Sequence, residues 1–199
     1  MAIKALFVDI GGVVLTNGWD HTARASACHT FGLDAKELED RHALSFGAYE
    51  IGAFSLEEYL RQAVFFTPRA FTMQQFIEFM HAQSKALPDT LDMLHDIKTK
   101  YKLKIVAVSN EGRELTNYRI QKFGLDRVFD FYISSGFVGR RKPDFDIYEL
   151  ALAVSHATPE EVIYIEDRKL FVEVGTKLGL TSIQHTSAST TKEALLKLL

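Results

Sequence analysis

Four short stretches carry residue types able to do chemistry together. Asp9 ends the apolar run Leu6-Phe7-Val8 and is followed by Ile10 and the pair Gly11-Gly12. Ser109-Asn110 follows Ile105-Val106-Ala107-Val108. Lys142 stands in the segment after Phe131-Tyr132-Ile133, directly before Pro143. Glu166-Asp167 ends Val162-Ile163-Tyr164-Ile165. A short apolar run that stops on a polar residue reads as a buried strand delivering that residue to its C-terminal end.

The chemistry follows from charge. Asp9, Glu166 and Asp167 gathered at one place repel each other unless a cation sits among them. Hard oxygen ligands of this kind suit Mg²⁺, whose octahedron is completed by waters and phosphate oxygens. Lys142 supplies a point charge for an anionic substrate. Ser109, at the start of a helix with free backbone N–H groups, can hold phosphate oxygens. Ser109, Asn110 and Lys142, with Gly11 and Gly12, form the expected phosphate-binding set. A carboxylate nucleophile beside a divalent cation, a hydroxyl and a lysine is a set of parts for phosphoryl transfer through an aspartyl-phosphate.

The elements that must position these groups alternate. From residue 87 onward, helical patterns separate four apolar runs at 104–108, 131–133, 162–165 and 181–184. With residues 3–8 as a first strand, this predicts a parallel sheet with helices on both faces. Ligands of such sheets bind beyond the carboxyl ends of the strands, where all four polar stretches fall. Asp89 is read as the cap of the helix bearing Leu91, Leu94 and Ile97, and residues 191–198 as the last helix.

Residues 17–86 have a different character. Asp34-Ala35-Lys36-Glu37, Ser55-Leu56-Glu57-Glu58 and Thr72-Met73-Gln74-Gln75 each mark a helix start, and a further helix covers about 20–31. Leu56, Tyr59, Leu60, Ala63 and Val64 share one face, as do Phe76, Phe79 and Met80. The expected division is a core of residues 1–16 and 87–199, with a helical module over 17–86 inserted after strand one.

A net charge of −3 over 199 residues gives no long-range field for nucleic acid. The single cysteine, Cys28, forms no internal disulfide, and the chain enters a strand without a signal-like leader. No apolar run approaches the roughly 18 residues of a spanning helix. The expectation is a cytoplasmic protein with no membrane or nucleic-acid partner, either monomer or homodimer. The seven histidines show no paired spacing for zinc.

The chain resembles the haloacid dehalogenase-like (HAD) hydrolase superfamily. The stretches that carry the resemblance are Val8-Asp9-Ile10-Gly11-Gly12-Val13, Val108-Ser109-Asn110, Arg141-Lys142-Pro143-Asp144 and Tyr164-Ile165-Glu166-Asp167. The resemblance implies an α/β fold, with a Rossmann-like parallel sheet core and a small helical cap inserted after strand one. It also implies Mg²⁺, with Asp9 as nucleophile and metal ligand and Asp167 as second carboxylate. Glu166 would act on the metal through water, and Gly11 through its backbone carbonyl. Ser109 would contact the phosphoryl group, and Lys142 would steady nucleophile and phosphate.

One position departs from the superfamily. Its phosphatases usually carry a second aspartate two residues after the nucleophile, as acid and then base. Here that residue is Gly11, within the pattern Asp-x-Gly-(Gly/Asn)-Val that resembles glucose-1-phosphate phosphatase-like proteins. A positioned acid–base group is worth about 10²–10⁴ in rate. Three readings fit: a phosphatase of small phosphorylated metabolites in which another group substitutes, a weakly active phospho-ligand binder, or a haloacid dehalogenase. Candidates for substrate contact are Trp19, Asp20, Arg24, Arg41, His42 and Glu50, with Arg113 a candidate anion partner. Thr16 and Asn17 are the nearest neighbours able to hold a catalytic water, although a hinge turn is the plainer reading.

Overall fold

The computed structural model describes residues 2–199. Five strands, β1 (Ala5–Val8), β2 (Lys104–Ser109), β3 (Phe131–Ser134), β4 (Val162–Glu166) and β5 (Thr181–Gln184), form one sheet in the order β3-β2-β1-β4-β5. All pairings are parallel. β1 lies at the centre, with Val8 opposite Ala107 on one side and Ile165 on the other. This register aligns the ends of β1, β2 and β4, so Asp9, Ser109 and Glu166 emerge along one edge.

Among the described residues, ten α-helices surround the sheet and extend from it. Five lie between β1 and β2: α1 (His21–Phe31), α2 (Ala35–Glu50), α3 (Leu56–Ala63), α4 (Met73–Ala82) and α5 (Pro88–Tyr101). After β2 come α6 (Arg113–Phe123), α7 (Ser135–Val138), α8 (Phe145–Ser155), α9 (Lys169–Lys177) and α10 (Ala188–Leu198). Strand alternation divides the core between the two faces. Leu6 and Val8 pack with Leu91, Leu94 and Ile97 of α5 and Leu195 of α10. Ala5 and Phe7 pack with Ile147, Tyr148 and Ala151 of α8.

The inserted helices gather around a separate cluster that includes Trp19, Leu38, Tyr59, Leu60, Phe76 and Met80. Their starts follow the sequence signals. Asp34 accepts from Glu37 N, and Ser55 and Thr72 each form a reciprocal capping box. The two chain crossings into this insertion run side by side. Thr16 N donates to Lys85 O at 2.9 Å, and Leu87 N donates to Val14 O at 2.9 Å. Thr16 Oγ1 donates to Gln83 O at 2.8 Å and accepts from Lys85 N at 2.9 Å. Thr16 is therefore a brace for the hinge rather than a water holder.

Three boundaries differ from expectation. α5 begins at Pro88 with no side-chain cap, so Asp89 lies inside the first turn. Proline at the first helical position needs no hydrogen-bond partner for nitrogen and already has helical φ, which replaces the cap. α10 starts at Ala188, where Ser187 caps it by accepting from Thr190 N. The first strand is shorter than residues 3–8, starting at Ala5. Among the described residues, no helix is long and apolar enough to cross a membrane.

Candidate active site

Asp9 leaves the sheet with its backbone N–H bonded to Ile165 O at 3.0 Å, which fixes the carboxylate at the strand end. The chain then turns back tightly: Gly12 N donates to Leu15 O at 2.7 Å and Leu15 N to Ile10 O at 3.0 Å. At Gly12 φ is +76°, and a Cβ there would overlap the carboxylate of Asp167. Glycine is required on both counts.

Lys142 is almost fully buried at the centre of the site. Its Nζ lies 3.1 Å from Asp9 Oδ1 and 2.6 Å from Glu166 Oε2. Burial works against the ammonium, but Asp9 and Glu166 outweigh it and hold its pKa above the ordinary lysine value. Burial also raises the Asp9 carboxyl, with Lys142 pulling the other way.

The family resemblance implies Glu166 on the metal through water. In the structure Glu166 Oε2 accepts from Lys142 and from Tyr164 OH, both at 2.6 Å, and Oε1 accepts from Arg168 N at 3.1 Å. Its first task is to hold the lysine. Asn110, expected on phosphate, is likewise committed. Its Nδ2 donates to Lys142 O at 2.8 Å and its Oδ1 accepts from Lys142 N at 2.7 Å. This two-point clip ties the end of β2 to the Lys142 segment.

The donor set fits a hard divalent cation. Asp9, Glu166 and Asp167 each offer an oxygen, all within 4.8 Å of one another. Opposite ligands across Mg²⁺ stand about 4.2 Å apart, so small adjustments close the shell. Asp167 Oδ1 is buried with no hydrogen-bond partner. A buried carboxylate oxygen without a donor is a place that a cation would satisfy.

Above these groups lies a cavity of about 490 Å³, lined by the core on one side and by the insertion on the other. Asp9, Gly11, Ser109 and Lys142 form its floor, and Trp19, His42, Phe46 and Tyr49 form much of its wall. Tyr59 OH accepts from Trp19 Nε1 at 2.8 Å, since an indole N–H only donates. That leaves the tyrosine proton for His42 Nδ1 at 2.9 Å. Burial lowers the His42 pKa to about 4. The ring is therefore neutral at pH 7 and carries its proton on Nε2.

Residues 48–184 match the family model for haloacid dehalogenase-like hydrolase. The chain belongs to this family. A D-ribitol-5-phosphate phosphatase of Bacteroides thetaiotaomicron is 22% identical over 99% of this chain and 98% of its own length. A phosphorylated carbohydrates phosphatase of Thermotoga maritima is 28% identical, over 56% of this chain and 55% of the relative, so the chain matches about half of that protein. Among solved structures, a HAD family enzyme of B. thetaiotaomicron in complex with magnesium and inorganic phosphate superposes with a TM-score of 0.76. The two are 18% identical, with 94% of this chain and 96% of that one covered. A predicted HAD-like family hydrolase of Porphyromonas gingivalis gives 0.78 at 21% identity, covering 100% and 98%.

In this HAD-like chain the other candidates fall into two groups. Trp19, Asp20, Arg24, His42 and Glu50 do line the cavity. Several are already engaged: Arg24 pairs with Glu39, Glu50 with Arg141, and Asp20 caps α1. Arg41 lies over the Phe66 ring and contacts Glu37. Arg113, proposed for an anion, donates to the Gly136 carbonyl at 3.3 Å.

Three cavity residues were missed by the sequence reading. Glu111 and Arg119 form a buried ion pair at 2.5 Å, and Tyr49 packs its ring on Gly112 with its hydroxyl unpartnered. Glu111 reads as loop polarity and Arg119 as one more charge on a polar helix. The cue that was available is a glutamate just past the end of β2 with an arginine in the second turn of the helix that follows.

Proposed function

We propose that the chain is a Mg²⁺-dependent phosphatase of small phosphorylated carbohydrates or polyols, working through an aspartyl-phosphate on Asp9. The observation that carries this reading is the buried Asp9 carboxylate, bridged by Lys142 at 3.1 Å and grouped with the free oxygen of Asp167. The relatives named as phosphatases of D-ribitol 5-phosphate and of phosphorylated carbohydrates support the substrate class. The cavity supports it too. Aromatic side chains at Trp19, Phe46 and Tyr49 and the neutral imidazole of His42 match the mixed apolar and hydroxyl surface of a sugar or polyol.

Asp9 attacks phosphorus while Lys142 balances negative charge on nucleophile and phosphoryl oxygens. Ser109 and the backbone beyond it, at the approach to α6, hold those oxygens. Asp9 and Asp167, with the Gly11 carbonyl, would hold the cation, which when bound neutralises phosphate charge. The helical insertion, residues 17–86, acts as a cap that excludes water and selects the leaving group.

The test is a screen of sugar and polyol phosphates and p-nitrophenyl phosphate, with and without Mg²⁺. Mg²⁺-dependent phosphate release that disappears in Asp9→Asn is expected. Equal activity with chelator, or in Asp9→Asn, overturns the reading. Halide release from 2-haloacids in the presence of chelator would assign dehalogenation instead.

A further inference from the structure

The phosphatase reading leaves one step without a residue. An alkoxide leaving group needs a proton, and the water that later attacks the aspartyl-phosphate must lose one. At Gly11 no side chain is present for either task. The space there is filled: a Cβ on Gly11 would stand 2.7 Å from Asn17 Oδ1. A carboxamide does not exchange protons near neutral pH, so Asn17 occupies the place without the chemistry.

The cavity holds few other carboxylates. Asp20 accepts from Ala23 N as the cap of α1, and Glu50 accepts from Arg141 at 3.0 Å. Asp9 is the nucleophile. Glu111 remains. It is only 6% exposed, and it lines the same cavity as Asp9, Gly11 and Asn17. Its Oε1 is held by Arg119, and its Oε2 is buried with no hydrogen-bond partner.

Arg119 aims the pair at the Gly11 side of the site. Its Nη2 donates to Thr16 O at 2.9 Å, and its guanidinium lies directly against Gly18. The residues gripped are those on either side of Asn17. Its Nε donates to Ser84 Oγ at 3.0 Å, on the returning crossing of the hinge. One arginine thus fixes Glu111 relative to both hinge crossings and to the residue filling the Gly11 space.

We propose that Glu111 is the general acid and base of this phosphatase, replacing the side chain absent at Gly11. In the first half-reaction a bond forms between Asp9 and phosphorus, the P–O bond to the substrate carbon skeleton breaks, and the leaving oxygen takes the proton of the Glu111 carboxyl. In the second, water attacks phosphorus and gives a proton to the Glu111 carboxylate. The bond from phosphorus to Asp9 breaks and returns the electron pair to its oxygen. Phosphate leaves, and both side chains end as they began. Burial raises the Glu111 pKa, Arg119 opposes this and Asp9 adds to it, so the carboxyl has access to its protonated form. Tyr49, from α2, lines the same cavity.

A leaving-group experiment tests this assignment, which rests on the phosphatase reading. Glu111→Gln keeps the hydrogen bond to Arg119 and removes the exchangeable proton. On the best sugar or polyol phosphate from the screen, kcat/KM should fall about 10²–10³-fold. On p-nitrophenyl phosphate, whose leaving group needs no proton, the first turnover should fall less than about tenfold. It should appear as a burst of p-nitrophenolate followed by slow dephosphorylation. A structural role would lower both esters alike and give no burst, and that result overturns the proposal, as does an unchanged rate on the sugar ester. Should Glu111→Gln not fold, wild-type rates on phenyl phosphates of graded leaving-group pKa decide the matter. A shallow dependence supports a proton donor, and a steep one overturns it. A wild type inactive on both kinds of ester brings down the phosphatase reading itself, which distinguishes that failure from this one.

Discussion

Gly12 shows how much one backbone position controls. Its φ of +76° costs a side chain about 1–3 kcal/mol, and an added Cβ would push on the Asp167 carboxylate. Gly12→Ala should therefore lower stability by about that amount and raise the Mg²⁺ concentration for half-maximal activity roughly tenfold, as measured by thermal melts and a Mg²⁺ titration. Gly11 behaves differently, because what it faces is the flexible end of Asn17. Gly11→Asp should fold with Asn17 turned aside. With Glu111 already in place, the gain in rate should be under about tenfold in wild type and larger in a Glu111→Gln background, read by steady-state kinetics. At this scale the sequence was legible where a polar residue ends an apolar run: Asp9, Ser109 and Asp167 stand where the strand pattern puts them. It was not legible where function depends on pairing across the fold. Asn110 reads as a phosphate ligand but spends its amide on Lys142. Glu111 reads as a loop acid but meets Arg119 through 2.5 Å.

Among elements, the β2 end and the Lys142 segment depend on each other. The clip joins the Asn110 side-chain amide to the backbone N–H and C=O of Lys142. Asn110→Ala should leave the sheet intact and let the lysine drift, lowering kcat about 10–100-fold with a smaller change in KM. Lys142→Met should cost at least as much in kcat, and the double variant should add little to it. A fully additive double variant would show that the clip does not act through Lys142. The helices of the insertion were legible because their capping residues are local signals. The strands were legible as apolar runs. The start of α5 was misplaced because Pro88 and Asp89 both mark helix beginnings and the proline dominates. The four-residue α7 is too short to leave a periodic trace.

The whole molecule holds its insertion at two places. One is the hinge, where the crossings at Thr16 and Lys85 pair. The other lies across the cavity. Gly52, at φ +74°, packs so closely on Gly136 that a Cβ would strike its carbonyl, and Ser135 Oγ donates to Glu50 O at 2.7 Å. Arg141 pairs with Glu50, and Leu56 N donates to Glu114 at 3.1 Å in the same region. The interior of the insertion brings a pH dependence. The unfolded chain protonates His42 near pH 6.5, whereas the folded one resists until about pH 4. Protons therefore favour unfolding across that interval, and stability should fall as pH drops through it. His42→Gln should show a smaller fall between pH 7 and 4.5 in thermal melts. An identical fall in both proteins would mean that His42 does not contribute.

The second attachment has a consequence for the company such an enzyme can keep. With the roof held on both sides, a cavity of about 490 Å³ suits a small phosphorylated metabolite better than a phosphate borne on a larger body, if the proposed function holds. On that proposed function, a phosphoserine on a folded protein or a phosphate at the end of a nucleic-acid strand should be hydrolysed far more slowly than a free sugar phosphate, as a phosphate-release assay on each would check. Such a catalyst needs no device for recognising what it must spare. Under that proposal it would be broad toward dissolved metabolites and still leave signalling marks on macromolecules untouched.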